Sequence, residues 1–497
     1  MKDLQRLVKI IDAYSPTATP LLNLQDESIL ETKLFNLLKE EAVLSDEEVA
    51  RQIYKDDKSA SSSFRMLKSR FKKKLYNHLH FLKVPEAQYH TISNAVYACA
   101  TQFAEVKALI MFSDFKAALK LLEQVHVITI EYELTTQEVL VLENITALYA
   151  DLNEEAEYNQ YLHLLEQAYR KQEQERKAQL LFNKVMFLFK KNTAQRSKHL
   201  QTSLSVLQQL EGLWQESASS SIFSLLHKLQ IFYFEQLGQY DKIASAVQEA
   251  DLLLSEGKIN RHWYRTKYYG FVLVYALLQC RQYEEGLRLA KEKEEGIARE
   301  SHNWFAFREN YILLALHSKK YALVADLLAE AFRNHHFRKI LLESQERYEL
   351  LRRFHALVAA PNRAEQPELL KPIVQEFKLL PKDKSGFNLA LLVLDVLEKL
   401  SCGELDDLEP QAERVRKYTQ KYLKGEKAER PRLFLRLLLL ALTKQGAALV
   451  REQGQKLLER LKGTPLPGDA FAEVEIVPYE HLWELVLKVL EQRQQMQ

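Results

Sequence analysis

Residues 237–250 read LGQYDKIASAVQEA, and residues 280–290 read CRQYEEGLRLA. In each stretch a tyrosine, Tyr240 or Tyr283, is followed by small or apolar residues three, four and seven places later. That spacing corresponds to one face of an α-helix, because side chains three and four apart lie on the same side of the helix. Both stretches therefore predict a helix that begins near the tyrosine and packs through this face.

The same spacing recurs nine times between residues 115 and 450, at intervals of roughly 38 to 49 residues. A unit of about 40 residues accommodates two helices and their turns. The sequence thus predicts an all-α fold, an α–α superhelix of stacked helix pairs, and such stacks usually present a surface to another macromolecule. The clearest copies begin at Phe115, Tyr158, Tyr240, Tyr283 and Tyr321, and weaker ones at Leu200, Leu370, Leu408 and Val450.

Composition agrees with a helical fold, since 13 Gly and 12 Pro in 497 residues leave few turn residues for an all-β or α/β protein. The formal net charge of +2 is near neutrality and gives no chain-wide reason to expect nucleic acid or an acidic membrane as partner. Cys99, Cys280 and Cys402 are odd in number and far apart, which argues against a disulfide framework or a zinc cluster.

Signals for export and membrane insertion are weak. Residues 1–14 carry Asp3, Lys9 and Asp12 among apolar residues, unlike the uncharged core of a secretory signal. The most apolar stretches, 268–280 and 433–442, are shorter than the ~18 residues that a membrane span needs. We therefore expect a cytoplasmic protein without a membrane partner.

Three parts are predicted along the chain: residues 1–84, a small helical unit with a basic third helix; residues 85–360, the regular repeats; and residues 361–497, further repeats closed by a capping helix. Ser45 and Glu48 have the spacing of a capping box, which predicts a short helix from Asp46. A third helix is expected over about 64–83. Four prolines between 361 and 381 indicate a boundary there.

Two further helix signals lie in the later parts. Thr135 and Glu138 have the spacing of a second capping box. After a Gly- and Pro-rich loop at 463–468 and a short segment that could be extended, Tyr479 to Gln492 is expected to form the final helix. Glu484, Lys488, Glu491 and Arg493 would give this helix the polar outer face that a terminal repeat needs.

The turn-and-helix segments resemble the second half of a tetratricopeptide repeat, in which small residues let two helices approach. Leu237-Gly238-Gln239-Tyr240 precedes Ala244 and Ala250, Cys280-Arg281-Gln282-Tyr283 precedes Gly286 and Ala290, and Lys319-Lys320-Tyr321 precedes Ala325 and Ala331. The resemblance covers residues 86–360, but the unit exceeds the ~34 residues of the standard repeat and mostly lacks its first-helix tryptophan and glycine. It implies a right-handed superhelix whose first helices line a concave groove for peptides or protein segments.

The first helices before Tyr283 and Tyr321 are unusually aromatic and basic. Such a composition suits a peptide groove, because rings supply apolar area and guanidinium groups hold carboxylates. Packing between layers is the alternative, since a sandwiched helix is aromatic-rich for burial alone. The predicted partner-binding residues are Arg261, Trp263, Arg265, Tyr268, Trp304, Phe307, Arg308 and Tyr311.

A second candidate surface is the basic helix within residues 58–83, which contains no acidic residue. Its centre, SRFKKKL at 69–75, resembles the third helix of winged-helix domains of bacterial transcription activators, some of which carry tetratricopeptide repeats. The chain departs from that pattern because residues 78–85 continue as helix without a strand pair for a wing. A solvated face, or a docking patch for an acidic protein, stays open as the alternative. The nucleic-acid-binding candidates are Arg65, Lys68, Arg70, Lys72, Lys73 and Lys74.

Catalytic and cofactor-binding motifs are missing from the sequence, including the P-loop, HExxH, GxSxG and GxGxxG patterns. Adjacent His335 and His336 diverge by about 100 degrees on a helix, so we expect surface residues and not a metal site. Glu473 and Glu475 are expected to face solvent. The sequence therefore leaves two functions open, a non-enzymatic protein-binding scaffold or a DNA-binding regulator, and predicts no cofactor or metal.

Overall fold

The computed structural model describes residues 8, 19–39, 45–54, 60–79, 81, 91–191, 196–359, 387–402, 408–423, 428–444, 446–464 and 475–496. These residues form twenty α-helices and one short 3₁₀-helix at Phe337–Lys339, and no strand lies among them. Consecutive helices pack against one another, so the predicted all-α fold of helix pairs is confirmed. The chain divides into two compact units, residues 1–176 (the N-terminal unit) and 177–497 (the C-terminal unit).

The N-terminal unit opens with three helices around a small apolar core that includes Leu34, Val49 and Leu67. The predicted capping box is confirmed: Ser45 Oγ accepts from the backbone N–H of Glu48, and Glu48 Oε2 accepts from the backbone N–H of Ser45 at 2.7 Å. The basic helix starts earlier than expected, at Ala60. The helices are α1 (Leu30–Lys39), α2 (Asp46–Ile53), α3 (Ala60–Leu79), α4 (Thr91–Met111), α5 (Phe115–Glu131), α6 (Thr135–Leu152) and the start of α7 (Glu155–Lys191).

The second predicted capping box is wrong. Thr135 is the first helical residue of α6, and Leu134 occupies the cap position without a side-chain cap bond. The hydroxyl of Thr135 instead donates to Glu175 Oε1 at 2.9 Å. A carboxylate supplied by α7 thus outcompetes the local backbone for this hydroxyl.

Helix α7 also departs from the repeat pattern, because the unit expected to begin at Tyr158 should hold two helices. The structure has one continuous helix of 37 residues. Residues 170–179, RKQEQERKAQ, are all good helix formers with no glycine, proline or asparagine to stop the helix. The boundary between the two compact units falls within this helix, after Arg176.

The C-terminal unit also consists of helices, and some of them begin where the sequence pattern predicts, whereas Leu200 and Val450 lie four and three residues after the first residue of their helices. Tyr240, Tyr283 and Tyr321 are each the first residue of a helix, and Leu408 is another, whereas Leu370 lies outside the described residues. The helices are α8 (Arg196–Ser217), α9 (Ser220–Leu237), α10 (Tyr240–Ser255), α11 (Thr266–Gln279), α12 (Tyr283–Glu294), α13 (His302–His317), α14 (Tyr321–Arg333), α15 (Leu342–Val358), α16 (Phe387–Cys402), α17 (Leu408–Tyr422), α18 (Glu429–Thr443), α19 (Ala447–Gly463) and α20 (Tyr479–Met496).

One turn geometry recurs between these helices. A residue with left-handed backbone lies two places before the next helix, and the residue after it usually donates its N–H to a carbonyl five residues back, as Gln282 does to Leu277 at 2.9 Å. This is the Schellman pattern, which uses up carbonyls that the helix end leaves unpaired. The left-handed residues are Ser113, Glu133, Asn153, Ala218, Gly238, Arg281 and Lys319.

A single apolar core runs from Phe223 to Leu490 in the C-terminal unit, on both sides of the proline-rich stretch 360–386, which lies outside the described residues. The predicted domain borders near 84 and 360 both fall outside the described residues. The final helix α20 begins at Tyr479 as predicted, and its Leu482, Trp483 and Val486 are buried in this core. No helix in the described part of the chain is long and apolar enough to cross a bilayer.

Candidate functional site

A cavity of about 380 Å³ lies where α13 begins and α14 ends. We call it the Trp304 cavity, because the indole of Trp304 lines it although only 2% of this residue is exposed. Its other walls come from the turn before α13, the last turn of α14 and the residues that follow, namely Arg299, Glu300, Glu330, Arg333, Asn334 and His335.

Local hydrogen bonds fix the two turns that form this cavity. Ser301 caps α13 by accepting from the backbone N–H of Trp304 at 3.2 Å, and its hydroxyl donates to Ala298 O at 2.7 Å. Asn334, at the end of α14, donates from Nδ2 to Arg299 O at 2.9 Å and accepts from the backbone N–H of His336 at 3.0 Å. The cavity walls are therefore tied to each other through Asn334.

Behind the indole lies Arg308, with only 2% of its side chain exposed. Its guanidinium makes a two-pronged pair with Glu294 at 2.7 and 2.8 Å, donates to Glu330 at 2.9 Å, and lies 4.4 Å from the Trp304 ring. Burial alone would lower the pKa of Arg308, but the hydrogen bonds and charges of Glu294 and Glu330 outweigh it and raise that pKa. The arginine is a fixed internal cation.

This arrangement corrects the groove prediction for α13. All four predicted residues of this helix are buried: Trp304, Phe307, Arg308 and Tyr311. The guanidinium of Arg308 donates hydrogen bonds to Glu294, to Glu330 and to the carbonyl of Leu327. A partner cannot reach Arg308 without breaking those bonds. Packing, the alternative that composition left open, accounts for the burial of these four side chains, and of the four Trp304 lines the cavity described above.

The other predicted groove residues lie earlier. Arg261, Trp263 and Arg265 precede α11, which begins at Thr266, so the expectation that they belong to a first helix is wrong. Arg261, Arg265 and Tyr268 are exposed, whereas Trp263 is half-buried. These side chains stay candidates for partner contact.

The basic helix α3 carries its cations on an exposed face and beside acidic residues of the preceding helices. Lys68 pairs with Asp46 at 2.6 Å, while Arg70 and Lys74 approach Glu31 at 3.9 and 3.7 Å. Arg65, Lys72 and Lys73 are exposed, together with Met66 and Tyr76. The Lys72 ammonium lies 5.7 Å from the Tyr76 ring centre. The exposed face of α3 thus combines five cationic residues, Arg65, Lys68, Arg70, Lys72 and Lys73, with an aromatic ring.

A second cavity, of about 280 Å³, was not indicated by the sequence. We call it the Arg430 cavity; its lining includes Arg281, His317, Arg430, Lys462, Glu480 and His481. Arg430, 2% exposed, is paired with Glu475 and with Glu480 and donates to Leu461 O at 2.7 Å. The expectation that Glu475 faces solvent is therefore wrong, because Arg430 holds it inside; Glu473 lies outside the described residues.

No sequence signal could have assembled this cavity, since its residues come from the turn before α12, the end of α13 and three later helices. Spacing along one helix reveals one face, whereas a cavity between distant helices depends on their packing. His335 is exposed and His336 is partly exposed, as expected. Among the described residues, no group of three or more His, Cys, Asp or Glu side chains is placed to hold a metal ion.

The fold defines a class: an all-α protein built from repeated helix pairs. Neither a family model, nor a curated protein, nor a solved structure matches the chain.

Proposed function

We propose that the chain is a non-enzymatic, cytoplasmic binding protein whose C-terminal unit recognises a protein or peptide at the Trp304 cavity. The observation that carries this proposal is the cavity itself: an indole with the Arg308 guanidinium 4.4 Å from its ring centre, between walls that are joined by a hydrogen bond of Asn334. An aromatic surface in a concave site is typical of the anchor points at which protein interfaces concentrate binding energy.

The size and charge of the cavity favour a polypeptide. Its volume of about 380 Å³ lies near the small end of the ~300–1,000 Å³ range of ligand pockets, which suits one or two inserted side chains. Arg299 and Arg333 are balanced by Glu300 and Glu330 on the walls. A wall of mixed sign matches the mixed polarity of a peptide better than the uniform negative charge of a nucleic acid.

The test is quantitative affinity capture with the full-length protein and identification of bound proteins by mass spectrometry. Arg299→Glu reverses an exposed charge at the cavity, whereas Arg436→Glu reverses an exposed charge on α18 and serves as the matched control. We expect a protein retained by the parent and by Arg436→Glu but depleted at least fivefold with Arg299→Glu. Identical sets of captured proteins for all three would refute the proposal.

A second function, nucleic-acid binding by the N-terminal unit, is favoured by one observation. The exposed face of α3 carries Arg65, Lys72 and Lys73 beside the exposed Tyr76, and α3 contains no acidic residue. Cations bind phosphates and an exposed ring can stack on a base. It ranks second because Lys68, Arg70 and Lys74 are drawn to Asp46 and Glu31.

Salt dependence tests this second function. Phosphate contacts release counterions, so binding of the full chain to duplex DNA should weaken steeply between low and physiological salt. The double variant Lys72→Ala/Lys73→Ala should reduce the slope of the salt dependence by about 2. Lys116→Ala/Lys120→Ala, which removes two exposed lysines of α5, is the control and should leave the slope unchanged. Absence of binding at low salt would end this interpretation.

A further inference from the structure

The Arg430 cavity combines unbalanced positive charge with two imidazole nitrogens that lack hydrogen-bond partners among the described residues. Its charge follows from simple counting: Arg430 is outweighed by Glu475 and Glu480, which leaves one negative charge, and Arg281 and Lys462 then bring the total to one positive charge with the histidines neutral. Both Arg281 and Lys462 are exposed side chains at the cavity. An excess of one positive charge favours a monoanion.

The two imidazoles that line the cavity, those of His317 and His481, supply these nitrogens. His317 is 2% exposed and its Nε2 lies 2.5 Å from the carbonyl oxygen of Glu475. Because a carbonyl only accepts, Nε2 carries the proton, and burial lowers the pKa of His317 to about 4, which keeps the ring neutral at pH 7. Its Nδ1 is then an acceptor, buried and without a hydrogen-bond partner among the described residues. The Nδ1 of His481 is also buried and without such a partner, and it can donate or accept according to the ring tautomer.

Buried polar atoms in proteins nearly always have a partner, so two unpaired imidazole nitrogens at one cavity call for hydrogen-bonding groups on a ligand. A hydroxyl group donates to the acceptor nitrogen of His317 and can donate to or accept from that of His481, and a carboxylate is held by guanidinium and ammonium groups. We propose that the Arg430 cavity binds a small hydroxylated carboxylate, with its carboxylate near Arg281 and Lys462 and its hydroxyls directed to His317 and His481. This site is independent of the partner proposed at the Trp304 cavity.

Because the Arg430 cavity lies between several helices, a ligand bound there would stabilise their packing. Its lining joins the turn before α12 and the end of α13 to α18, α19 and the first turn of α20. A ligand that contacts all of these elements binds the folded C-terminal unit and not the unfolded chain, so it stabilises the final helix in its docked position. The ligand would thereby couple the position of α20 to that of α12 and α13.

The experiment is isothermal titration of the full-length protein, with thermal unfolding in parallel. D-gluconate is the probe, acetate lacks the hydroxyls, glucose lacks the charge, and glycerol 3-phosphate replaces the carboxylate by a phosphate. We expect gluconate to bind and to raise the melting temperature, and acetate and glucose to bind at least tenfold more weakly. Equal binding of gluconate and acetate would overturn the role of the imidazoles, and binding of glycerol 3-phosphate without gluconate would overturn the carboxylate assignment.

Variants locate the site. Lys462→Gln removes an exposed cation at the cavity and should weaken gluconate binding about tenfold without a change in the melting temperature of the free protein. Lys456→Gln, an exposed lysine of the same helix α19 outside the lining, is the matched control and should bind as the parent does. Undiminished binding by Lys462→Gln, or no heat with any probe, would overturn the proposal.

Discussion

In the described part of the chain, seven turns have a left-handed residue two places before the next helix, and one of these seven is a glycine, Gly238. Serine, glutamate, asparagine, alanine, arginine and lysine occupy the others, so no residue type marks the position. At four of these turns the residue two places later is aromatic (Phe115, Tyr240, Tyr283 and Tyr321), and these four were visible in the sequence because an apolar helical face follows them. The turn geometry itself was not, because the backbone hydrogen bonds impose it on whichever residue is present.

Ala218→Gly is expected to stabilise the protein. Ala218 is exposed with a φ of 50°, a conformation that disfavours any side chain but not glycine. Relief of that strain should exceed the entropy that glycine adds to the unfolded chain, for a net gain of about 0.5–1 kcal/mol in the free energy of unfolding. Ala306→Gly, at an exposed position within α13, should lose about 1 kcal/mol. Denaturant titration measures both, and a loss of stability in Ala218→Gly would contradict the turn geometry.

Arg308 and Arg265 were expected to act alike in binding, and the structure separates them. Arg308→Ala leaves the carboxylate of Glu294, which is 14% exposed, without its partner and should destabilise the C-terminal unit by roughly 3 kcal/mol. Arg265→Ala removes an exposed side chain and should change stability by less than about 0.5 kcal/mol. Tryptophan fluorescence is a suitable readout, because all four tryptophans lie between residues 214 and 483. Equal stability of the two variants would show that Arg308 is not fixed as described.

At the level of helices, the apolar spacing located the starts of α5, α10, α12, α14 and α17 because these helices bury one continuous face. It failed at α7, where the expected turn is replaced by uninterrupted helix formers at 170–179. Spacing reports which face is buried, whereas a turn needs a residue that stops the helix.

Gly286 shows how closely two helices approach. A Cβ atom at this position would lie 2.7 Å from Leu314 Cδ2 and 3.5 Å from Leu277 Cβ, and Leu314 is fully buried. Gly286→Ala should therefore destabilise α12 against α13 by roughly 1–3 kcal/mol despite the better helix propensity of alanine.

Gly212→Ala is the matched control for this prediction, because nothing lies within 4 Å of a Cβ added at Gly212 in α8. That variant should gain about 0.5–1 kcal/mol of stability from helix propensity alone. Thermal unfolding of the two variants gives the comparison, and a gain in both would show that α12 and α13 are not in close contact at Gly286.

Across the whole molecule, the helical class was accessible from the sequence, but the buried charges were not. Arg430 is 45 residues from Glu475 and 50 from Glu480 along the chain, so no local pattern relates them. The same holds for His317, whose partner is the carbonyl of Glu475, 158 residues away. These contacts exist only once the helices are packed, which is why Glu475, expected to face solvent, proved to be internal.

Two buried histidines predict that the C-terminal unit is sensitive to acid. Burial lowers the pKa of His227 and of His317 to about 4, below the usual 6.5, so the unfolded chain binds more protons between these values. The stabilising effect of each neutral ring is complete above pH 6.5 and is lost as the pH falls towards 4. From pH 7 to pH 5 the free energy of unfolding should drop by about 2 kcal/mol for each histidine.

Denaturant titrations at several pH values, followed by tryptophan fluorescence, check this dependence. In the His227→Phe variant, the drop in the free energy of unfolding from pH 7 to pH 5 should be about half that of the parent. The phenylalanine ring can replace the imidazole beside Phe223 and Tyr269, and it does not titrate. Stability that stays constant from pH 7 to pH 5 would contradict the burial of both histidines.

The central claim, that the C-terminal unit binds a protein or peptide at the Trp304 cavity, is tested most directly by site-specific photo-crosslinking. A photoreactive amino acid replaces Glu300 at the cavity or, as control, Arg436 on α18, both exposed positions. The proposal predicts a discrete adduct with a protein from position 300 that is absent from position 436 and is lost when Arg299→Glu is added. No adduct from position 300, or the same adducts from both positions, would contradict it.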